Sequence, residues 1–361
     1  MRFQGKKLTV QVFGQSHAAA IGAVIDGLPA GMNIDREALQ AFLNRRAPGQ
    51  GAYATARKEA DMPEFLSGLV EDVTCGAPVC AVIRNGDARS SDYEQFRQVP
   101  RPSHADWPAT VRYGAHYDIR GGGPFSGRLT APLCVAGGIA LQMLKARGVR
   151  IGAHIASVGH AADEAFDPAG VSAAEFDRIA GNGFPTLRRE AGEAILAEIE
   201  AARQDGDSVG GTVECAAIGL PAGLGGPLFE GLESALASAL FAIPAVRGVE
   251  VGTGFAAAAM RGSAHNDPWV FREGRVKTET NHAGGIVGGM TTGMPLILRA
   301  AFKPTPSIRR QQRSVNLATG EETEMIIHGR HDPCVVPRAV PVVEAVTALV
   351  LLDELMSGEQ P

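Results

Sequence analysis

Aromatic side chains are scarce in this chain, with two Trp, four Tyr and fourteen Phe among 361 residues. A core of stacked rings is therefore excluded, and Ala, Gly and branched aliphatics must fill the interior through close approach of the elements. Cysteines are few and odd in number (Cys75, Cys80, Cys134, Cys215, Cys334). With no CxxC pair and mostly apolar neighbours, they exclude a disulfide framework or zinc knot and suit reduced thiols in a cytoplasmic protein. No sign of charge dominates, since 34 basic residues face 39 acidic ones, so no nucleic-acid partner is expected from bulk electrostatics. Long hydrophobic runs are also missing. MRFQGKKLTV has no signal-peptide apolar region, and the longest apolar run, within Ala345 to Leu352, is too short to span a bilayer. No membrane partner is expected.

What is plentiful is glycine, 45 of 361 residues, well above the usual share of about 7%. No low-complexity tract holds them, so tight turns and close approaches are spread along the fold. Gly121-Gly122-Gly123 lacks GxGxxG spacing and is no dinucleotide fingerprint.

GLPAG occurs twice, at Gly27 to Gly31 and Gly219 to Gly223. At the same offset, Gly14-Gln15-Ser16-His17 matches Gly206-Asp207-Ser208-Val209, and a helical pattern follows each copy. The period is too long for a solenoid and reads as an internal duplication. Where one copy has His17 the other has Val209, so the scaffold does not require the imidazole and a task confined to one half explains it better.

Strand patterns fall at Leu8 to Phe13, Gly22 to Asp26, Pro78 to Arg84, Thr212 to Ile218, Val249 to Gly252, Pro295 to Phe302 and Glu324 to His328. The strongest helical patterns are Ala136 to Ala146, Arg189 to Arg203 and Val342 to Met356. The alternation is not a strict βαβ rhythm, so the fold class read is α+β, a layered sandwich forming one domain over 1–361 from two related halves, about 1–190 and 191–361.

Candidate chemistry lies in long polar loops. His104 stands in Arg101-Pro102-Ser103-His104-Ala105-Asp106, where Asp106 can orient the imidazole and Arg101 offers a fork to phosphate or carboxylate. Arg120-Gly121-Gly122-Gly123-Pro124-Phe125-Ser126-Gly127-Arg128 runs into a helical pattern and reads as an anion site, with amides at a helix start and two arginines. Arg45-Arg46 lies in another Gly/Pro loop. Lys303-Pro304-Thr305-Pro306-Ser307 and Arg330-His331-Asp332 each follow a strand pattern and suit phosphate contact and proton transfer. No metal is expected, because HxD at His104 and Asp106 matches no zinc spacing.

In order along the chain stand FGQSHAAAIGAVIDGLPAG, NRRAPGQ, FLSGLVEDVTCGAPV, NGDARSSDY, RPSHADW, DIRGGGPFSGRLTAP, VRGVEVGTGF, NHAGGIVGGMTTGMP, KPTPSI and GRHDPCVVPRAVPVVEA. This ordered set resembles the chorismate synthase family over nearly the whole chain. The resemblance implies a β-α-β sandwich with internal pseudo-symmetry, a homotetramer, and reduced FMN as cofactor, with NADPH as a possible reductant. It also implies the anti-1,4-elimination of phosphate from 5-enolpyruvylshikimate 3-phosphate, a small phosphorylated substrate, to give chorismate in aromatic amino-acid biosynthesis. By the same resemblance His17 protonates or stabilises the departing phosphate, His104 tunes flavin protonation, and Asp332 assists removal of the substrate proton. Arg46, Arg101, Ser126, Arg128 and Arg330 would hold substrate. Flavin contacts would fall on Arg46, Pro124, Phe125, Ser126, Pro244, Ala245, Gly288, Lys303, Pro304, Thr305, Pro306, Ser307 and Arg330. The chain departs from the family pattern at Gln15, Ala18, Ser103, Ala47 and Ala52; the last two replace arginines and bear on substrate and NADP contacts. Two other readings are a non-catalytic flavin- or anion-binding paralogue and an NAD(P)H-dependent flavin reductase.

Overall fold

A computed structural model describes residues 1–49, 60–86, 91–329 and 331–358. In the strand Thr9–Gly14, Val10 and Val12 are buried while Gln11 between them is exposed. That period-two pattern makes a sheet with one face on the core. The first sheet is antiparallel throughout, in the order Arg2–Gln4, Thr9–Gly14, Ala20–Asp26, Val79–Arg84, Glu64–Ser67. The second, also antiparallel, runs Ala161–Ala162, Arg150–Val158, Gly211–Ile218, Leu296–Phe302, Val246–Val251.

The helices are α1 (Arg36–Arg46), α2 (Asp106–Tyr113), α3 (Thr130–Ala146), α4 (Ala173–Gly181), α5 (Arg189–Gln204), α6 (Leu232–Phe241), α7 (Gly262–His265) and α8 (Val336–Gly358). α3 and α8 are apolar around most of their circumference, and such helices belong inside a structure. α3 packs on the first sheet, α8 on the second, and the two pack on each other. The architecture is therefore a sandwich with helices between two sheets. A Cβ on Gly137 would lie 2.3 Å from that of Ala345, so glycine is what lets these helices meet. The stretch Gly127–Ala146 is apolar enough by composition to cross a membrane, but it is mostly buried in this middle layer.

The two GLPAG turns are built alike. A Cβ on Gly27 would lie 2.1 Å from the Lys7 carbonyl oxygen, and one on Gly219 would lie 2.2 Å from that of Gly148. Thr74 Oγ1 donates to the Pro29 carbonyl at 2.6 Å and accepts from the Met32 amide at 2.9 Å. Thr291 does the same with Pro221 and Leu224, at 2.6 and 2.9 Å. These contacts match Thr9–Gly14 with Arg150–Val158, so the second sheet takes its first strand well ahead of residue 191.

Several boundaries differ from the sequence reading. α3 starts at Thr130 and α8 at Val336; α8 continues through Pro337 and Pro341, which read as breakers. The strand expected at Glu324 to His328 lies at Glu322–Met325. Arg150–Val158 and α4, with its Ser172–Glu175 capping box, were not anticipated.

Candidate active site

Loops from both halves converge on a cleft of about 1340 Å³. On its first-half side the Gly121–Gly123 loop runs against two imidazoles. A Cβ on Gly121 would lie 2.7 Å from His17 Nε2, and one on Gly122 would lie 3.3 Å from His104 Nε2. Both glycines have positive φ, 61° and 87°, so their absent side chains and their backbone permit this approach together. The glycine loop is not itself the start of a helix. The backbone is non-helical at Gly121–Gly123, a 3₁₀ turn at Gly127–Leu129 follows ahead of α3, and the Gly122 amide donates to the Ile119 carbonyl.

His17 is buried, with its ring edge-to-face against Tyr93 at 5.2 Å. The Ser16 amide donates to the Gly123 carbonyl at 3.3 Å and ties the His17 loop to the glycine loop. Ser16 lines the cleft, with His17 packed behind Gly121.

His104 is held by a buried carboxylate. Asp106 lies 2.7 Å from His104 Nδ1 and accepts from Arg101 Nε and Nη2 at 2.7 and 2.8 Å. Arg101 Nη2 also lies 3.2 Å from Nδ1. The shorter carboxylate contact places the proton on Nδ1, leaving Nε2 as the second ring nitrogen for the cleft. Burial, together with Arg101 and Lys303, lowers the His104 pKa against the opposing pull of Asp106. Arg101 thus spends its fork on Asp106 and stacks over Phe96 at 4.5 Å, while still lining the cleft.

Arg46 and Arg128 also line the cleft and share the carboxylate of Asp61, to which Arg46 donates from Nε at 3.1 Å and Nη2 at 2.5 Å and Arg128 from Nη1. Burial alone would raise the Asp61 pKa, but the two guanidinium groups outweigh it and hold the acid below its ordinary range. Ser126 accepts from the Arg128 amide at 3.2 Å. Asp332 accepts from Arg338 Nη1 at 2.5 Å, and Arg338 Nε donates to the Arg46 carbonyl at 3.0 Å. His331 lies beside them, and burial, followed by Arg101, pushes its pKa down to about 4.

The chorismate synthase family model matches residues 8–356. A chorismate synthase of Thermococcus gammatolerans is 49% identical over 98% of this chain and 97% of its own, and one of Methanocella arvoryzae is 47% identical over 98% and 94%. A crystal structure of a chorismate synthase superposes with TM-score 0.76 at 26% identity, covering 98% of this chain and 93% of that one. The chain belongs to the chorismate synthase family. These enzymes are lyases.

Against that family's expected contacts, the structure brings together at one cleft Arg46, Arg101, His104, Pro124, Phe125, Ser126, Arg128, Pro244, Ala245, Lys303, Thr305, Pro306, Ser307 and Asp332. His17 stands behind the glycine loop. Pro304 is exposed and covers Gly210 rather than lining the cleft. Gly288 sits in the turn between Ile286–Val287 and Met290–Thr291, away from the cleft of a single chain. Arg330 and Ala52 lie outside the described residues. Sequence reasoning did not single out Asp61, Tyr93 or Arg338; Tyr93 ends the NGDARSSDY stretch and Arg338 stands within GRHDPCVVPRAVPVVEA, whereas Asp61 falls between two such stretches and nothing local marks it.

The cleft suits a flavin. Pro124, Phe125, Pro244 and Ala245 give it apolar and backbone surface, and Lys303 brings a cation whose Nζ donates to the Ser103 carbonyl at 2.6 Å. Among the described residues the buried Thr305 hydroxyl oxygen has no hydrogen-bond partner, so it offers a polar contact to an occupant of the cleft.

Proposed function

We propose that this chain converts 5-enolpyruvylshikimate 3-phosphate to chorismate by anti-1,4-elimination of phosphate, with reduced FMN bound along Pro124–Ser126, Pro244-Ala245 and Lys303–Ser307. The observation that carries the reading is one cleft lined by His104 and a cluster of arginines, bounded by a glycine loop that holds His17 close behind it. In the reaction a C–O bond to phosphate and a ring C–H bond break, a double bond forms, and no net oxidant is needed. The reduced flavin, when bound, supplies transient electron density and is not consumed.

Everything else falls to side chains. Arg46 and Arg128 attract the phosphate and carboxylates and orient the ring. His17, kept close by Gly121, places a proton at the departing phosphate oxygen. His104, with Nδ1 fixed by Asp106, presents Nε2 as a proton-accepting atom, and Asp332, held by Arg338, lines the same cleft. A homotetramer belongs to the same reading, supported by Phe229, Phe255 and Phe271, which are 97%, 84% and 74% exposed on the single chain. Gly288 then serves the flavin only across a subunit boundary. Anaerobic phosphate release from the enolpyruvyl substrate, with and without reduced FMN, tests the function. Release must depend on both.

A further inference from the structure

We infer that Asp61 is a positioning residue that locks Arg46 and Arg128 into one phosphate-binding fork. The inference rests on the functional reading above and goes beyond it in naming what builds the anion site. The two arginines come from different elements, the last turn of α1 and the 3₁₀ turn before α3. Oδ2 of Asp61 takes Arg46, and Oδ1 takes Arg128. Each guanidinium has a second anchor, Arg46 Nη1 on Thr130 Oγ1 at 3.2 Å and Arg128 Nε on Asn85 Oδ1 at 3.1 Å.

Asp61 itself is only 2% exposed and has φ 46°. Aspartate is among the few non-glycine residues that tolerate this left-handed backbone. Two adjacent guanidinium groups repel, and a bridging carboxylate removes the repulsion while fixing both planes, so the three side chains together carry one net positive charge. Arg338 is tied to the same unit through the Arg46 carbonyl and to Asp332 through Nη1, which links the fork to that carboxylate.

Charge alone makes the opposite prediction, and that separates the two accounts. Neutralising Asp61 adds net positive charge, so a purely Coulombic site would bind anions more tightly. The full chain is titrated calorimetrically with inorganic phosphate as wild type, Asp61→Asn, Asp61→Glu and Asp61→Asn with Arg128→Ala. Asp61→Asn is expected to weaken phosphate binding by about tenfold or more. Asp61→Glu keeps the charge, shifts both arginines, and also weakens binding. Adding Arg128→Ala to Asp61→Asn costs little more, because the residues act as one unit. Equal or tighter binding in Asp61→Asn, or wild-type binding in Asp61→Glu, overturns the inference. If these variants do not fold, a structure of the unmodified chain with bound phosphate decides: both arginines still on Asp61 supports it, and either one leaving Asp61 to hold the anion overturns it. Failure of the wild type to bind phosphate also overturns it, whereas normal phosphate binding without chorismate formation counts against the functional reading alone.

Discussion

The loop that enters α3 and the loop that enters α8 occupy matching places in the two sheets' layers, yet they carry different chemistry. Each receives a backbone hydrogen bond from its own Gly-x-Ser-x loop: Ser16 to the Gly123 carbonyl at 3.3 Å, and Val209 to the Pro333 carbonyl at 2.9 Å. Each leads to an arginine paired with an aspartate, Arg128 with Asp61 and Arg338 with Asp332. In the first half the loop itself is bare glycine and the imidazoles reach it from His17 and His104. In the second half the loop brings its own imidazole and carboxylate, His331 and Asp332, and the position matching His17 is an apolar Val209 packed toward the core. The two similar loops therefore present unlike groups to a shared cleft, which suits the asymmetric substrate proposed above.

The sharpest way to break this comparison is to exchange its two ends. His17→Ala should reduce turnover by about 10²–10⁴-fold with the fold intact, the usual cost of losing one acid or base. Val209→Ala should instead cost stability of about 1 kcal/mol and leave turnover near wild type. Steady-state rates and thermal unfolding on both variants check this, and equal rates in the two would remove the asymmetry. Gly121→Ala comes next: its Cβ would press on His17 from a backbone at φ 61°, so kcat should fall by about tenfold or more while the matching loop's contacts stay intact.

Arg128→Ala and Arg338→Ala should each raise the substrate KM, and the double variant should show coupling of about 0.5–3 kcal/mol, because Arg46 shares Asp61 with Arg128 and accepts a hydrogen bond from Arg338. Strict additivity would make them separate sites. A smaller effect tests the shared scaffold. Thr74→Val and Thr291→Val remove the same two hydrogen bonds in the two turns, so denaturant titration should show similar losses of about 1–3 kcal/mol each.

The smallest expected effects are in pH dependence. His331, at about 4 in the fold, and His104, also lowered, sit below the ordinary 6.5. The unfolded chain takes up protons first, so their contribution is complete above pH 6.5 and is lost as pH falls through each folded value, about 4 for His331. His154 has the opposite sign. Burial would lower its pKa, but hydrogen bonds to Asp163 and Glu214 raise it, so its contribution is present below pH 6.5 and lost as pH rises through its folded value. Urea midpoints of His331→Gln and His154→Gln across pH 4–8 should therefore diverge from wild type in opposite directions.

Much of this asymmetry was legible in the residues, since GLPAG twice in one chain supplied a control for His17. The strand Arg150–Val158 was not, because it is buried on both faces: His154 and Gly152 lie in its middle under Phe166 and Phe176, and no apolar alternation shows. α8 was cut short by its own prolines. The neighbours of the glycine run were not legible beside it, because the two imidazoles it meets lie 104 and 18 residues away along the chain, His17 at Gly121 and His104 at Gly122. Asp61 was invisible for a related reason, as its partner Arg128 lies 67 residues along the chain.

The central claim is that this cleft performs an elimination without net redox change, and counting product against flavin tests it most directly. With FMN reduced once, oxygen excluded and substrate in excess, the account predicts many chorismate molecules and equal phosphate for each flavin, with the flavin still reduced at the end. One product per flavin oxidised would contradict it and make the chain a redox enzyme.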